Sequence, residues 1–183
     1  MNNESVRLHF DALAEQGVWA SLYREADGKI TAETWSFLIR ARRVVQLLEF
    51  SGTKLHELLD IGWGTAPIAE SIVAMGAHYT GVDFSPEMVS AAARNVSGLA
   101  ANGTARVSLG DVTNLRSPDG SFNAVTAMGL IEYLSQREIA QSLSEVGRVS
   151  RPGGLAVITI PKRWNWASSS FLRRCSTARA RRS

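Results

Sequence analysis

Asp60, Asp83 and Asp111 each stand where a short apolar run gives out, and the first is followed by Gly62-Trp63-Gly64-Thr65-Ala66-Pro67. One such acid means little. Three in succession, with a glycine turn at the first, make a constellation suited to a nucleotide-type ligand. The glycines let a ligand come close to the backbone. An acid ending the second run can accept hydrogen bonds from both hydroxyls of a ribose. An acid after the third run suits the exocyclic amine of adenine. Asp60 suits an ammonium group, directly or through water.

The elements that must hold these acids follow from the apolar pattern. Leu55 to Ile61, His78 to Asp83, Ala105 to Leu109, Asn123 to Met128 and Leu155 to Ile160 read as five strands. A helix runs from about Thr65 to Met75 after the first. Ser85-Pro86-Glu87 starts another, with serine at the cap, proline at the first helical position and an acid in the first turn. Ser117-Pro118-Asp119-Gly120 is a turn. Ser135-Gln136-Arg137-Glu138 is a capping box, with Ile139, Leu143, Val146 and Val149 as the buried stripe, and Pro152-Gly153-Gly154 ends that helix. Ahead of the strands, residues 4–24 carry apolar positions at helical spacing. Thr31 caps a second helix with an apolar face that includes Phe37, Leu38, Val44 and Leu48. Strands alternating with helices predict an α/β fold: a Rossmann-like, doubly wound, mostly parallel sheet of about five strands with N-terminal helices. Ligands of such sheets bind beyond the carboxyl ends of the strands.

A dinucleotide loop wants a third glycine where Pro67 stands. An acid two residues before Gly62 favours a ligand with positive charge there and repels a pyrophosphate. S-adenosyl-L-methionine carries an ammonium and a sulfonium. At this point the chain resembles the class I S-adenosylmethionine-dependent methyltransferases over roughly Leu55 to Trp166. Leu58 to Thr65 is similar to their D-x-G-x-G-T loop, and Gly81-Val82-Asp83-Phe84-Ser85-Pro86-Glu87-Met88 to their second motif. Gly110-Asp111-Val112, Met128 to Leu134 and Arg151-Pro152-Gly153-Gly154 resemble three further segments in order. Ile68-Ala69-Glu70-Ser71 with Gly76-Ala77 resembles the 3-demethylubiquinone O-methyltransferase branch. The resemblance implies that Asp60, Gly62, Trp63, Gly64, Asp83, Phe84, Met88, Asp111, Val112 and Met128 hold the cofactor. It assigns no catalytic residue and no metal. Arg40 and Arg42 are candidates for the methionine carboxylate, Glu132 for a base or an orienting group, and Trp19, Tyr23 and Trp35 for a lid.

The departures are specific. Trp63 replaces a small residue and is either an adapted core side chain or a crowding of the site. Ala66 replaces a glycine and is tolerated if its φ is negative. Asn123 stands where an acid is common, with little effect expected. After the fifth strand the resemblance calls for two more, and the remaining residues read as connector. A fragment, or a fifth strand left as an apolar edge for a partner to cover, is therefore expected. The expected organisation is a helical cap over residues 1–50, a cofactor-binding domain over 51–161 and a basic tail over 162–183.

The chain has 183 residues, 45% hydrophobic and 20% charged, which suits one globular domain. The net charge of +3 hides an asymmetry. Lys162 to Ser183 holds seven basic residues and no acid, which leaves 13 basic and 17 acidic groups in the rest. An acidic body argues against a nucleic-acid groove and for a small-molecule methyl acceptor. The tail lacks aromatics among its last arginines and reads as a solvated linker. No apolar run reaches membrane-spanning length, and Met1 to Phe10 lacks a secretory pattern. The single Cys175 fits a cytoplasmic setting. His9, His56 and His78 are isolated, which leaves a hydrolase triad or metal site unsupported. A nicotinamide-dependent oxidoreductase and a catalytically impaired binding module remain as alternatives.

Overall fold

The chain forms a parallel sheet because its central strands are buried on both faces and successive strands are joined by crossovers. The computed structural model describes residues 6–8, 10–12 and 32–160. Thr31, Trp19, Tyr23, Cys175 and the basic tail lie outside the described residues. The strands are β1 (Glu57–Ile61), β2 (His78–Asp83), β3 (Ala105–Leu109), β4 (Phe122–Ala127) and β5 (Ser150–Ile158). All pair in parallel, in the order β3-β2-β1-β4-β5. The chain leaves β1 in one direction and returns to its other side at β4, so the switch point opens between these two strands.

The helices are α1 (Ala32–Phe50), α2 (Ala69–Ala74), α3 (Pro86–Asn95), α4 (Ser97–Ala101) and α5 (Gln136–Val149). Residues 6–8 and 10–12 are also helical. Alternate side chains of β1 enter two different cores. Leu58 packs with Val44 and Leu48 of α1, Ile72 of α2 and Tyr79 of β2. Leu59 and Ile61 pack on the other face with Phe122, Val125, and Val146 and Val149 of α5. Burial on both faces is why β1 reads as a continuous apolar run rather than an alternating one.

Both caps form as the sequence predicts. The Ser85 hydroxyl accepts from the Met88 amide at the start of α3, and Ser135 with Glu138 closes a capping box on α5. Strand β4 is displaced by one residue, to Phe122–Ala127, β5 ends at Ile158, and three elements start two or more residues from where the sequence predicts. Helix α2 starts at Ala69, not Thr65, because Ala66 adopts φ 59° and Pro67 follows it. The condition under which Ala66 would be tolerated is therefore not met. Strand β5 starts at Ser150, directly after α5, and takes in Pro152-Gly153-Gly154, which do not form a separate loop. A register shift between Phe122 and Ala124 absorbs the extra residues as a bulge. Proline is admissible there because β5 is the outermost strand of the described sheet. Third, β1 starts at Glu57. Just ahead of it, the Asn123 carboxamide accepts from the His56 and Glu57 amides (3.0 and 2.9 Å) and donates to the Lys54 carbonyl. An ionised acid could not make that last bond, so the asparagine has a structural effect where the sequence alone predicts little.

Candidate functional site

The carboxyl ends of the strands surround a cleft of about 800 Å3. Its floor is the β1–α2 loop. Gly62 and Gly64 have φ of 65° and 58°, a region costly for side-chain-bearing residues. The Gly62 amide donates to the Val82 carbonyl at 3.0 Å, which ties the loop across to β2. A β-carbon on Gly62 would lie 2.9 Å from Leu130, so the loop and the segment after β4 meet only because that atom is absent.

Asp83 ends β2 at the cleft wall. Its carboxylate accepts from the Gly64 amide (3.3 Å) and the Ser85 amide (3.0 Å). Burial pushes its pKa up to about 6. The amides of Ser85, Gly64 and Phe84 oppose the shift, and the nearby Asp11 charge adds to it. Phe84, and Met88 from the first turn of α3, extend this wall. Beyond β3, Asp111 and Val112 line the rim with Leu109, an apolar side chain left 53% exposed. The Asp111 carboxylate accepts from the amide and hydroxyl of Thr113 (2.8 and 2.7 Å), which fixes its orientation. Met128 and Gly129 close the far side at the end of β4, where the Gly129 amide donates to Thr159 (2.8 Å).

Nine of the ten residues assigned from the sequence line this cleft, and Asp60 does not. Asp60 is fully buried behind the loop. Tyr79 and Thr126 donate their hydroxyls to its two carboxylate oxygens, at 2.9 and 2.7 Å. Burial pushes its pKa up to about 7 against those two bonds. Trp63 packs on the same face of the sheet, beside the neighbouring strand. Gly81 is the register partner of Asp60, and a β-carbon there would lie 2.8 Å from the indole. Trp63 is 2% exposed and belongs to the α1–α2 core. It packs as a core side chain in the space that Gly81 leaves and also borders the cleft. Its indole nitrogen is buried and finds no hydrogen-bond partner among the described residues.

Val6, Arg7 and Phe10 also line the cleft. The Phe10 ring stands edge-on to Tyr133 (4.9 Å) and to Phe84 (6.3 Å). Asp11 accepts a 2.5 Å hydrogen bond from the Ser85 hydroxyl. The sequence pattern marks Phe10 only as a helix-packing position and does not single out Asp11, because nothing in local spacing says where that segment docks. Trp35 is exposed and does not line the cleft; Phe37 does. Arg40 lines it, over the Phe37 ring (5.1 Å) and 3.8 Å from Glu132, while Arg42 is exposed elsewhere on α1. Among the described residues no cluster of His, Cys, Asp and Glu is placed to hold a metal. No helix among them is long and apolar enough to cross a membrane.

A five-stranded parallel sheet with a glycine loop at its switch point and a strand-end acid beside it defines a nucleotide-cofactor α/β domain. Residues 58–154, just over half of the chain, match the methyltransferase domain family, and the chain belongs to that family in its class I S-adenosylmethionine-dependent form. The chain is 36% identical over 103 residues to a demethylmenaquinone methyltransferase of Tropheryma whipplei, covering 56% of this chain and 41% of that protein. It is 27% identical over 151 residues to a ubiquinone biosynthesis O-methyltransferase of Xanthomonas oryzae pv. oryzae, covering 82% and 60%. The chain thus spans less than two thirds of the length of these relatives. A TehB-like SAM-dependent methyltransferase of Corynebacterium glutamicum shares the fold, with a TM-score of 0.66 at 19% identity over 93% of this chain and 82% of that one.

Proposed function

We propose that the cleft binds S-adenosyl-L-methionine and that the chain transfers its methyl group to an oxygen, nitrogen or carbon of a small-molecule acceptor. The observation that carries this reading is Asp83. Its carboxylate is fixed by backbone amides on one side and faces the cleft on the other, so its remaining lone pairs are free for ribose hydroxyls. The surroundings fit the rest of the cofactor. Phe84, Val112 and the half-exposed Leu109 offer apolar walls to an adenine, and Asp111 an acceptor for its amine. The guanidinium of Arg40, beside Gly129, suits the methionine carboxylate. When bound, the cofactor supplies an electrophilic methyl group. The residues around it need only orient the acceptor and exclude water, which is why no nucleophile or triad stands out. The two named relatives suggest a ring-bearing acceptor, which would meet Phe37, Phe10 and Tyr133. A cytoplasmic location belongs to the same proposal and rests on the lone cysteine.

Titration calorimetry with S-adenosylhomocysteine tests the reading. The wild-type chain should bind, and Asp83→Ala should weaken binding by about 2 kcal/mol, the scale of lost hydrogen bonds to a charged group. Unchanged affinity in that variant would show the ribose to be elsewhere. Tighter binding of NADH than of S-adenosylhomocysteine would replace the reading with an oxidoreductase. The buried indole of Trp63, with no hydrogen-bond partner among the described residues, favours a second reading, an impaired binding module. Binding seen only after Trp63→Cys would support it.

A further inference from the structure

Asp111, the acid on the rim beyond β3, is held in place by two residues that stand away from the cleft. Glu145 and Arg148 lie one turn apart on α5, and neither lines the cleft. An arginine has five N–H groups, and here all five find acceptors. Two go to the two carboxylate oxygens of Glu145 (2.8 and 2.7 Å), a fork-to-fork pair. The other three reach the connection between β3 and β4: the Leu115 carbonyl (2.8 Å), the Ser117 carbonyl (2.8 Å) and the Asp119 carboxylate (2.7 Å). Glu145 also accepts from the Leu115 amide at 2.7 Å. The pair therefore grips both backbone groups of Leu115, whose side chain is buried with Val146 and Val149 of α5. Leu115 anchors the turn that carries Asp111. The Asn114 amide donates to the Asp111 carbonyl at 3.1 Å, in a bridge between these two residues. Thr113 donates twice to Oδ1 of Asp111, which leaves Oδ2 for a ligand. Thr113 and Arg116, on either side of the gripped residue, line the cleft themselves.

We propose that Glu145 and Arg148 are positioning residues for base recognition: by clamping Leu115 they set the Asp111 carboxylate to accept from the exocyclic amine of adenine. The proposal rests on the reading of the cleft as an S-adenosylmethionine site. An isolated surface ion pair contributes little to stability. This one acts as a splint, because it binds a segment that belongs to no helix or strand and has no hydrogen-bond ladder of its own. Selectivity for the base is thus set from α5, 30 residues along the chain from Leu115, by side chains that never touch the cofactor.

The test is calorimetry on the full chain with two probes, S-adenosylhomocysteine and S-inosylhomocysteine. The second carries a carbonyl in place of the amine, so it cannot donate to Asp111 there. Wild type should prefer the adenine probe by about tenfold, the size of one hydrogen bond to a charged group. Arg148→Ala should cut that preference to about twofold or less, because the bond to Asp111 is lost. Arg148→Lys keeps the charge but not the planar fork and should not restore the preference. Asp111→Ala should lose the same preference, and adding Arg148→Ala to it should take nothing further from the ratio, the non-additivity of two residues in one network. A general loosening of the fold weakens both probes alike, so the ratio isolates base recognition from a merely structural role. Should Arg148→Ala fail to fold, Glu145→Gln, nearly isosteric and no longer a charged fork, should lower the same ratio. An unchanged preference in either variant overturns the proposal. Equal binding of both probes by wild type overturns it too and leaves the cofactor reading standing, whereas binding of neither probe refutes the cofactor reading and the proposal with it.

Discussion

Asp60 and Asp83 close neighbouring strands, both are buried, and burial raises the pKa of both, yet they face different worlds. Asp60 is bonded by two side-chain hydroxyls and shut in on the face of the sheet that carries Trp63. Asp83 is bonded by backbone amides and opens on the cleft. Hydroxyl partners tie Asp60 into the sheet across β2 and β4, which makes it a brace. Amide partners come from the loops that a ligand would touch, which leaves Asp83 available to one. A strand-end acid is therefore not a ligand site by position alone; what donates to it decides. The tryptophan lies on that enclosed face, in the room that Gly81 leaves beside Asp60.

Removing that tryptophan should break the contrast, with the largest effect of any single change. Trp63→Ala should destabilise the fold by about 3–5 kcal/mol, the usual range for a buried aromatic truncated to alanine. The value should fall near the lower end, because an indole N–H with no acceptor already costs about 1–3 kcal/mol. Water admitted to the vacated space should also bring the Asp60 pKa back toward the ordinary carboxylate range. Urea denaturation measures the first effect and carbon-detected titration of the carboxyl the second. A loss under about 1 kcal/mol would mean that the indole is not a filled core position.

A smaller change sharpens the comparison by pH. With its pKa raised from 3.8 to about 7, the Asp60 carboxyl holds its proton more tightly in the folded than in the unfolded chain. Its contribution to stability is complete below about pH 4 and is lost as pH rises through 7. Asp60→Asn stays neutral throughout and can still bond to both Tyr79 and Thr126. Its advantage over wild type should be small at pH 4 and grow to about 4 kcal/mol by pH 8, since each tenfold gain in proton affinity on folding corresponds to roughly 1.4 kcal/mol. The Asp83 titration is common to both proteins and cancels in the difference apart from its repulsion of the Asp60 charge, the smallest of the causes that shift Asp60. Affinity for S-adenosylhomocysteine should barely change, in contrast to Asp83→Ala. An equal stability difference at both pH values would refute the account of Asp60 as a buried, neutralised brace.

How far the sequence carries depends on how local the cause is. Ser85-Pro86-Glu87 and the Ser135–Glu138 box define their helices because both partners of each cap lie within four residues. The strand–helix alternation gives the parallel sheet for the same reason, and the spacing of acids to strand ends gives Asp83 and Asp111. The role of Asp60 is not legible, because its hydroxyl partners come from β2 and β4, 19 and 66 residues away. Phe10 and Asp11 escape for a similar reason: Ser85 is 74 residues from Asp11. The start of β5 at Ser150 is hidden by Pro152-Gly153-Gly154, which signal a turn locally and are accommodated as a bulge only because the strand is at an edge.

The smallest effect concerns the other side of the glycine loop, where it leaves the enclosed region for α2. Ala66 is the only non-glycine at positive φ among the described residues. An L-residue in that region loses about 1–2 kcal/mol to the contact of its β-carbon with the backbone. Pro67 adds to the conflict, since its ring disfavours compact backbone in the residue before it. Ala66→Gly removes the β-carbon but gives the unfolded chain more freedom, at about 0.5–1 kcal/mol. The net gain should be about 0.5–1 kcal/mol in urea denaturation, with α2 unchanged. A loss of stability would mean that the 7% exposed methyl of Ala66 contributes more to the α1–α2 core than its backbone conformation takes away.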